Sequence, residues 1–386
     1  MIERPDAERR DHDDPLAQWY DEFVVTDPDV IYLDGNSLGR TPKRTVSALH
    51  RAVEQQWAGD LIASWWDHDW LNLALTVGDE LAPLIGAGPG EVAVHESTTV
   101  SIFQQVNVAL DLVPGRRVVA IDERDFPTDR YVAEGIARLR GGEVRHGFED
   151  LSGVDVVLRS LVDYRTAEVA DLAGETARAA AAGATTVWDL SHAAGVLELD
   201  LPGAGVELAV GCTYKFLNGG PGAPAFVFVS RSVQDRVTQP IWGWYAQTDQ
   251  FAMERPFEAR PGIGRMLNGT PPVLGLTAAR TGIALTREAG IGAVAAKARD
   301  LTGFAIELAD QFGLAIDTPR DAARRGGHVA VRHPDARQIH QDLTDRKIVA
   351  DYRDPDVLRL GLSPLTTRFV DVFDALTAVA ALVESR

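Results

Sequence analysis

The chain has 386 residues, and its 38 Lys and Arg against 56 Asp and Glu give a formal net charge of −18. This charge repels phosphate backbones and anionic lipids, so we expect no nucleic-acid partner and no membrane partner. Hydrophobic residues make up 45% of the chain and charged residues 24%, as in ordinary globular proteins. No apolar run reaches about 18 residues, so the sequence predicts no transmembrane helix.

The single cysteine, Cys212, excludes an internal disulfide and fits the reducing cytoplasm. The first residues lack the apolar stretch of a signal peptide, so we expect a cytoplasmic protein. Residues 1–15 are polar and are expected either to fray or to dock elsewhere as an arm.

A helical pattern opens after Pro42 and runs over residues 42–58. From about residue 90, apolar runs alternate with helical stretches, which predicts a parallel sheet covered on both faces. The predicted strands are Val118–Ile121, Val154–Leu158, Thr185–Asp189, Leu208–Cys212 and Ala225–Val229, and the predicted helices between them are Tyr131–Leu139 and Glu168–Ala182.

Proline and glycine become frequent before residue 272, and a different pattern follows. The predicted elements there are helices at 273–290 and 292–312, strand His328–Arg332, helix Ala336–Asp345, strand Leu358–Leu362 and helix Phe369–Val383. These elements predict a smaller α+β unit with a boundary near residue 275.

Ligands of open α/β sheets bind at the carboxyl ends of the strands, so we expect the chemistry in the segments that follow strands. Ser97–Ser101 is rich in hydroxyls and suits an anion at a helix N-terminus, although a simple helix cap is the alternative. Phe126–Asp129 could supply an aromatic ring that stacks on a planar ligand, and the alternative is a turn with a buried phenylalanine. Asp189 ends an apolar strand, where a carboxylate requires a cationic partner, and His192 follows it closely.

Thr213–Gly222 is the most specific of these segments because it holds one of only four lysines, Lys215, between a strand and a glycine-rich turn. Arginine cannot lose its proton and therefore cannot replace a lysine that acts as a neutral amine. Together the four segments supply the parts of a pyridoxal-phosphate site: an amine for a Schiff base, an acid, a stacking ring and a phosphate cradle.

The residues that carry this chemistry resemble the kynureninase family of fold-type I pyridoxal-phosphate enzymes, in the aspartate aminotransferase-like superfamily, from about residue 31 to 375. The matching motifs are Tyr32–Gly39, Phe126–Asp129, Trp188–His192, Tyr214–Gly222, Gly243-Trp244, Arg265–Pro272, Gly326–Val329 and Leu358-Arg359. The resemblance implies a large domain with a mostly parallel seven-stranded sheet flanked by helices, plus a smaller α+β domain. It implies a pyridoxal-phosphate-binding domain at 61–275 and a small domain at 276–386, with residues 1–60 contributing to the small domain and the active site.

The resemblance also implies residue roles. Lys215 would form the Schiff base with pyridoxal 5'-phosphate, Asp189 would hold the pyridine nitrogen, and Phe126 would stack on the ring beside Asp129. The phosphate would be held by Thr98, Thr99, His192 and Tyr214, and across the interface of a homodimer by Trp244 and Thr270. The substrate would contact Asn36 and Ser37, and its α-carboxylate would bind the guanidinium of Arg359. Tyr214 is a further hypothesis for a proton relay.

The implied reaction is hydrolytic Cβ–Cγ cleavage of L-kynurenine, 3-hydroxykynurenine or another ring-substituted relative to anthranilate (or its analogue) and L-alanine, as in tryptophan catabolism and NAD biosynthesis. A desulfurase, epimerase or other lyase of the same fold and a non-catalytic binding protein are the alternatives. Asp67, His68 and Asp69 match no metal-site spacing, so we expect no metal. The sequence departs from the family at Ala246-Gln247, where Gly-His is usual, and at Ser101 and Ala167; Ser64–Trp70 is also unusually aromatic.

Overall fold

The computed structural model describes residues 1–253 and 256–386. The α-helices are α1 (Arg4–His12), α2 (Lys43–Arg51), α3 (Ser64–Asp67), α4 (Leu73–Leu81), α5 (Thr98–Asp111), α6 (Pro127–Arg140), α7 (Leu172–Ala181), α8 (Arg231–Gln234), α9 (Val273–Ala289), α10 (Ile291–Gln311), α11 (Ala336–Asp345) and α12 (Phe369–Glu384). The strands are β1 (Ile31–Tyr32), β2 (Val92–His95), β3 (Val118–Ile121), β4 (Glu143–His146), β5 (Val156–Ser160), β6 (Thr185–Asp189), β7 (Leu208–Gly211), β8 (Ala225–Val229), β9 (Ala315–Ile316), β10 (His328–Arg332), β11 (Ile348–Val349), β12 (Asp351–Arg353) and β13 (Val357–Gly361).

The larger sheet has seven strands in the order β2-β8-β7-β6-β5-β3-β4. Strand β8 runs antiparallel to both of its neighbours, and the other pairs are parallel. The central strands are almost wholly buried, which is expected of a sheet covered on both faces. The predicted mostly parallel seven-stranded sheet is confirmed, and the carboxyl ends of six strands lie along one edge.

A second sheet has four antiparallel strands in the order β12-β13-β10-β9. Helices α10, α11 and α12 pack on it through a separate apolar cluster that also contains Ala7 and Leu33. Residues 1–15 therefore dock as an arm, because α1 packs against α12 and the backbone of Ile2 is hydrogen-bonded to the side chain of Gln311. The division of the chain into domains near residue 275 stays a prediction.

Several predicted boundaries were wrong for local reasons. The helix predicted from Tyr131 begins at Pro127, because proline suits the first helical position. The helix predicted from Glu168 begins only at Leu172, because the side chain of Asp171 accepts a hydrogen bond from Gly174 N and caps it there. Strand β4 was missed because it is a polar edge strand with little burial. None of the helices within the described ranges is long and apolar enough to cross a membrane.

A buried ion pair ties the N-terminal arm to α10. Lys297 Nζ lies 2.6 Å from Asp14 Oδ2, and the two side chains are 7% and 4% exposed. Asp14 Oδ1 accepts a second hydrogen bond from Leu16 N, and Leu16 packs in a small apolar cluster with Phe23 and Val294. Removal of one partner would leave the other charge buried and uncompensated.

We expect Lys297→Met to lower the free energy of unfolding by roughly 3–5 kcal/mol, since Asp14 would keep its charge without a partner. The double variant Asp14→Asn, Lys297→Met should lose less, because asparagine keeps the bond from Leu16 N without the charge. Urea unfolding measures both values, and Arg320→Met, which removes the exposed Arg320–Asp310 pair, is the control with little effect. A double variant as unstable as the single one would contradict this account.

Candidate functional site

The four segments singled out from the sequence lie at the carboxyl ends of parallel strands. Ser97 follows β2, Phe126 follows β3, Asp189 ends β6, and Lys215 follows β7. Because these strands run in the same direction, their ends face the same edge of the sheet. The site is therefore assembled by strand direction rather than by sequence proximity.

The amine of Lys215 lies among buried groups. Its Nζ is 3.1 Å from His192 Nε2 and 5.9 Å from the ring centroids of both Phe126 and Tyr214. Burial lowers the pKa of Lys215, although the nearby Cys212 and Asp189 oppose this shift. Lys215 therefore loses its proton more readily in this site than an exposed lysine does.

Two buried carboxyl groups lie beside this amine. Asp189 accepts a hydrogen bond from Ser191 N at 2.9 Å, and burial raises the pKa of its carboxyl group. Asp129, in the first turn of α6, is 1% exposed, and burial together with the charge of Asp189 raises its pKa well above the usual range. Such a pair favours a cationic group placed against it.

The N-terminus of α5 fits an anion. Ser97 caps the helix by accepting a hydrogen bond from Val100 N, so the cap alternative holds for this residue. Thr98 begins the helix, and its buried hydroxyl has no partner within the described residues. A free hydroxyl beside unpaired helix N–H groups suits a phosphate. Thr99 is exposed on this chain.

The smaller sheet contributes Arg359 on β13, which is 1% exposed. Its Nη1 donates to the carbonyl oxygen of Tyr164, and its Nη2 donates to Ser37 Oγ at 3.3 Å and to Asp351 Oδ2. Burial lowers the pKa of Arg359 to about 10, so the guanidinium keeps its charge at neutral pH. Asn36 is wholly buried, and both of its amide atoms are without a partner in the described ranges.

Several residues of this region were missed by sequence reasoning. Tyr164 packs edge-on against Phe126 with ring centroids 5.3 Å apart, and it follows β5, so the rule of strand ends would have found it. The His328 ring lies 6.0 Å from that of His192, and burial lowers the pKa of both groups, which keeps both rings neutral. Nothing in the sequence marks Asp351 as a site residue, because its contact with Arg359 depends on the register of the antiparallel strands β12 and β13.

The structure does not bring every predicted site residue to Lys215. Trp244 packs edge-on against Tyr245 at 4.6 Å and is 38% exposed. Thr270 lines an open apolar cavity of about 580 Å³ together with Trp57, Leu61 and Ile62. Neither Trp244 nor Thr270 takes part in the hydrogen bonds and ring contacts of Lys215 seen among the described residues.

Solved structures of pyridoxal-phosphate enzymes of fold type I share this fold. The apo cysteine desulfurase of Thermococcus onnurineus NA1 superposes with a TM-score of 0.79 at 18% identity, covering 93% of this chain and 96% of that one. A lysine-to-alanine mutant of C-DES, with glycine covalently linked to its PLP cofactor, gives 0.82 at 16% identity, covering 92% and 97%. The fold class expected from the sequence is therefore confirmed.

Sequence comparison narrows this class to one family. Residues 294–379 match the kynureninase C-terminal domain. The kynureninase of Deinococcus radiodurans is 43% identical over 387 residues, covering 96% of this chain and 94% of that protein, and the kynureninase of Pseudomonas fluorescens is 38% identical, covering 100% and 97%. The chain belongs to the kynureninase family.

A buried histidine next to the α5 cap predicts acid sensitivity. His95 ends β2, neither ring nitrogen has a partner among the described residues, and burial lowers its pKa from 6.5 to about 4. The unfolded chain therefore binds more protons than the folded chain between about pH 6.5 and pH 4, and stability is lost as the pH falls through that window.

Between pH 7 and pH 5 we expect His95 to account for about 2 kcal/mol of lost unfolding free energy. Urea titrations at the two pH values should show that His95→Gln loses correspondingly less than the unmodified chain. His146→Gln removes an exposed histidine and is the matched control. Equal pH losses in all three proteins would show that His95 is not the sensitive group.

Proposed function

We propose that this protein is a kynureninase that binds pyridoxal 5'-phosphate covalently through Lys215 and hydrolyses L-kynurenine, or a ring-substituted relative, to anthranilate or its analogue and L-alanine. The observation that carries the proposal is the buried amine of Lys215 beside Asp189, in a chain of the kynureninase family. The single cysteine of the sequence, which has no partner for an internal disulfide, supports a location in the reducing cytoplasm.

The residues fit the cofactor in charge and shape. The acid pair Asp189 and Asp129 suits a protonated pyridine nitrogen, and the ring of Phe126 lies where a planar heterocycle beside Lys215 would stack. The free hydroxyl of Thr98 and the N-terminus of α5 suit the phosphate, with Thr99, His192 and Tyr214 as its further expected partners. This assignment of roles is our proposal for the site.

Bound pyridoxal phosphate supplies a ring that withdraws electrons from the Cα of an attached amino acid. With the cofactor bound, the Lys215 amine would take the proton from Cα, and its lowered pKa favours this role because more of the amine is neutral. Asp189 holds the proton on the pyridine nitrogen. Tyr214 is the proposed relay for protons. Burial raises the pKa of its hydroxyl, so this group stays neutral and can donate a hydrogen bond.

The substrate side is assigned to Arg359, Ser37 and Asn36. The guanidinium of Arg359 suits the α-carboxylate, and the unpartnered amide of Asn36 offers both a donor and an acceptor. Gln247, which stands where the family usually has histidine, accepts a hydrogen bond from Glu258 N at 2.7 Å. Its amide oxygen is therefore engaged by the chain itself, so we assign it no contact with the substrate ring.

A desulfurase is disfavoured although several enzymes of that kind share the fold. A persulfide mechanism needs a reachable cysteine, and the single one in this sequence, Cys212, is 2% exposed. Burial also raises the pKa of its thiol, which disfavours the reactive thiolate.

Holoenzyme given L-kynurenine should release anthranilate and L-alanine in equal amounts, and Lys215→Ala should abolish turnover because no amine remains to hold the cofactor or move the Cα proton. Fluorescence of anthranilate and amino-acid analysis measure the products. Borohydride reduction followed by peptide mass analysis should place the fixed cofactor on Lys215. Lys43→Ala, which removes an exposed lysine, is the control with full activity. Unchanged turnover in Lys215→Ala would remove this lysine from the mechanism.

The active site of the proposed enzyme includes a second copy of the chain. Trp57, Leu61 and Ile62 are 57%, 63% and 70% exposed around the cavity that Thr270 borders. Exposed apolar groups of this size are typical of an interaction surface. A homodimer that buries them would carry Thr270, and with it Trp244, toward the cofactor of the partner.

We expect Ile62→Glu to weaken this dimer, because burial of an unpaired carboxylate in an apolar interface is unfavourable. Sedimentation velocity should show a shift from dimer to monomer, and the variant should lose pyridoxal phosphate on gel filtration faster than the unmodified protein. Leu139→Glu changes an equally exposed apolar residue on α6 and is the control. A monomeric unmodified protein that retains full activity would contradict the shared site.

A further inference from the structure

The guanidinium proposed to bind the substrate carboxylate already contacts a carboxylate of the chain. Asp351 on β12 is the direct cross-strand partner of Arg359 on β13, so the backbone register places their side chains together. Asp351 Oδ2 accepts hydrogen bonds from Arg359 Nη2, from Arg353 Nε at 3.0 Å and from Ser37 Oγ at 3.5 Å. One carboxylate oxygen is thus shared by two arginines and a hydroxyl.

Arg359 does not depend on this carboxylate for its position. Its Nη1 donates to the carbonyl oxygen of Tyr164, and its Nη2 also reaches Ser37 Oγ. Its Nε is buried without a partner among the described residues, so an N–H group remains for a ligand. The contact with Asp351 therefore occupies one donor of an arginine that has two other partners in the fold.

Arg353 offers Asp351 a second place to bind. Arg353 lies two residues from Asp351 on the same face of β12, and its side chain is 35% exposed. A small shift of the Asp351 side chain toward Arg353 would keep the carboxylate paired with Arg353. The same shift would free Nη2 of Arg359. Asp34 adds another acid whose charge acts on Arg359, so two arginines already face two acids before any substrate enters.

We propose that Asp351 is a place-holding carboxylate: it occupies Nη2 of Arg359 in the absence of substrate, and the α-carboxylate of the amino acid displaces it toward Arg353. Two carboxylates on one guanidinium repel each other, so the exchange lowers the affinity for any anion. Asp351 thereby adjusts the binding of the α-carboxylate, and it takes no part in bond cleavage. This inference rests on the proposed role of Arg359.

Two variants should shift ligand binding in opposite directions. Titration of the holoenzyme with L-alanine, followed by the visible absorbance of the cofactor, should give a Kd roughly three- to tenfold lower in Asp351→Asn, because the competing charge is gone. Arg353→Gln should raise the Kd, because of the two arginines that bind Asp351 only Arg359 then remains. L-Alaninamide, which lacks the carboxylate, should bind equally to all three proteins. Asp354→Asn removes an exposed charge paired with Arg337 and is the matched control with unchanged binding.

Weaker or unchanged L-alanine binding in Asp351→Asn would overturn the proposal and make Asp351 a support for Arg359, as would equal shifts for alanine and alaninamide. Arg353→Gln gives an independent result if Asp351→Asn fails to fold, since Arg353 is partly exposed. The holoenzyme could release no anthranilate while Asp351→Asn lowers the Kd for L-alanine and Arg353→Gln raises it. That result would contradict the proposed reaction and would still support the place-holding role of Asp351. Normal turnover without those shifts would contradict the place-holder alone.

Discussion

The amine of Lys215, buried beside acids at the edge of the larger sheet, is the feature on which the site depends. Burial disfavours its charged form, while Asp189 and Asp129 favour a cation near them. A bound pyridinium would satisfy the acids and leave the amine free to be neutral. A cationic ring bound at this site would therefore meet both electrostatic demands together.

Two sheets have to meet for the site to be complete. The larger sheet supplies Lys215, Asp189 and Phe126 at strand ends, whereas Arg359 comes from the smaller antiparallel sheet. The bond from Arg359 Nη1 to the carbonyl oxygen of Tyr164 joins the two sheets at the site itself, and Tyr164 also packs on Phe126. Tyr164 thus contacts both Phe126, which is expected to stack on the cofactor ring, and Arg359, which is expected to bind the substrate carboxylate.

Strand ends explain what the sequence could and could not reveal. Lys215, Asp189, His192 and Phe126 were predictable because each follows or ends an apolar run, and parallel strands bring such ends together without any knowledge of register. Asp351 depends on which residue faces Arg359 across an antiparallel pair, and a shift by one residue would turn it to the other face. The arm α1 was equally hidden, because Ala7 is its single buried residue and leaves almost no apolar stripe to read.

Electrostatics also limits which ligands reach Arg359. The chain carries a net charge of −18, so an anion approaches against the overall field, and attraction must come from local cations such as Arg353 and Arg359. Asp351 and Asp34 offset much of that local charge, so a simple anion gains little by entering. An amino acid carries an amino group as well as its carboxylate, so under the proposed function it would offer both a carboxylate for Arg359 and a nitrogen for the cofactor. The acids around Arg359 would therefore weaken the binding of any plain anion, whereas an amino acid would gain a second attachment through its nitrogen.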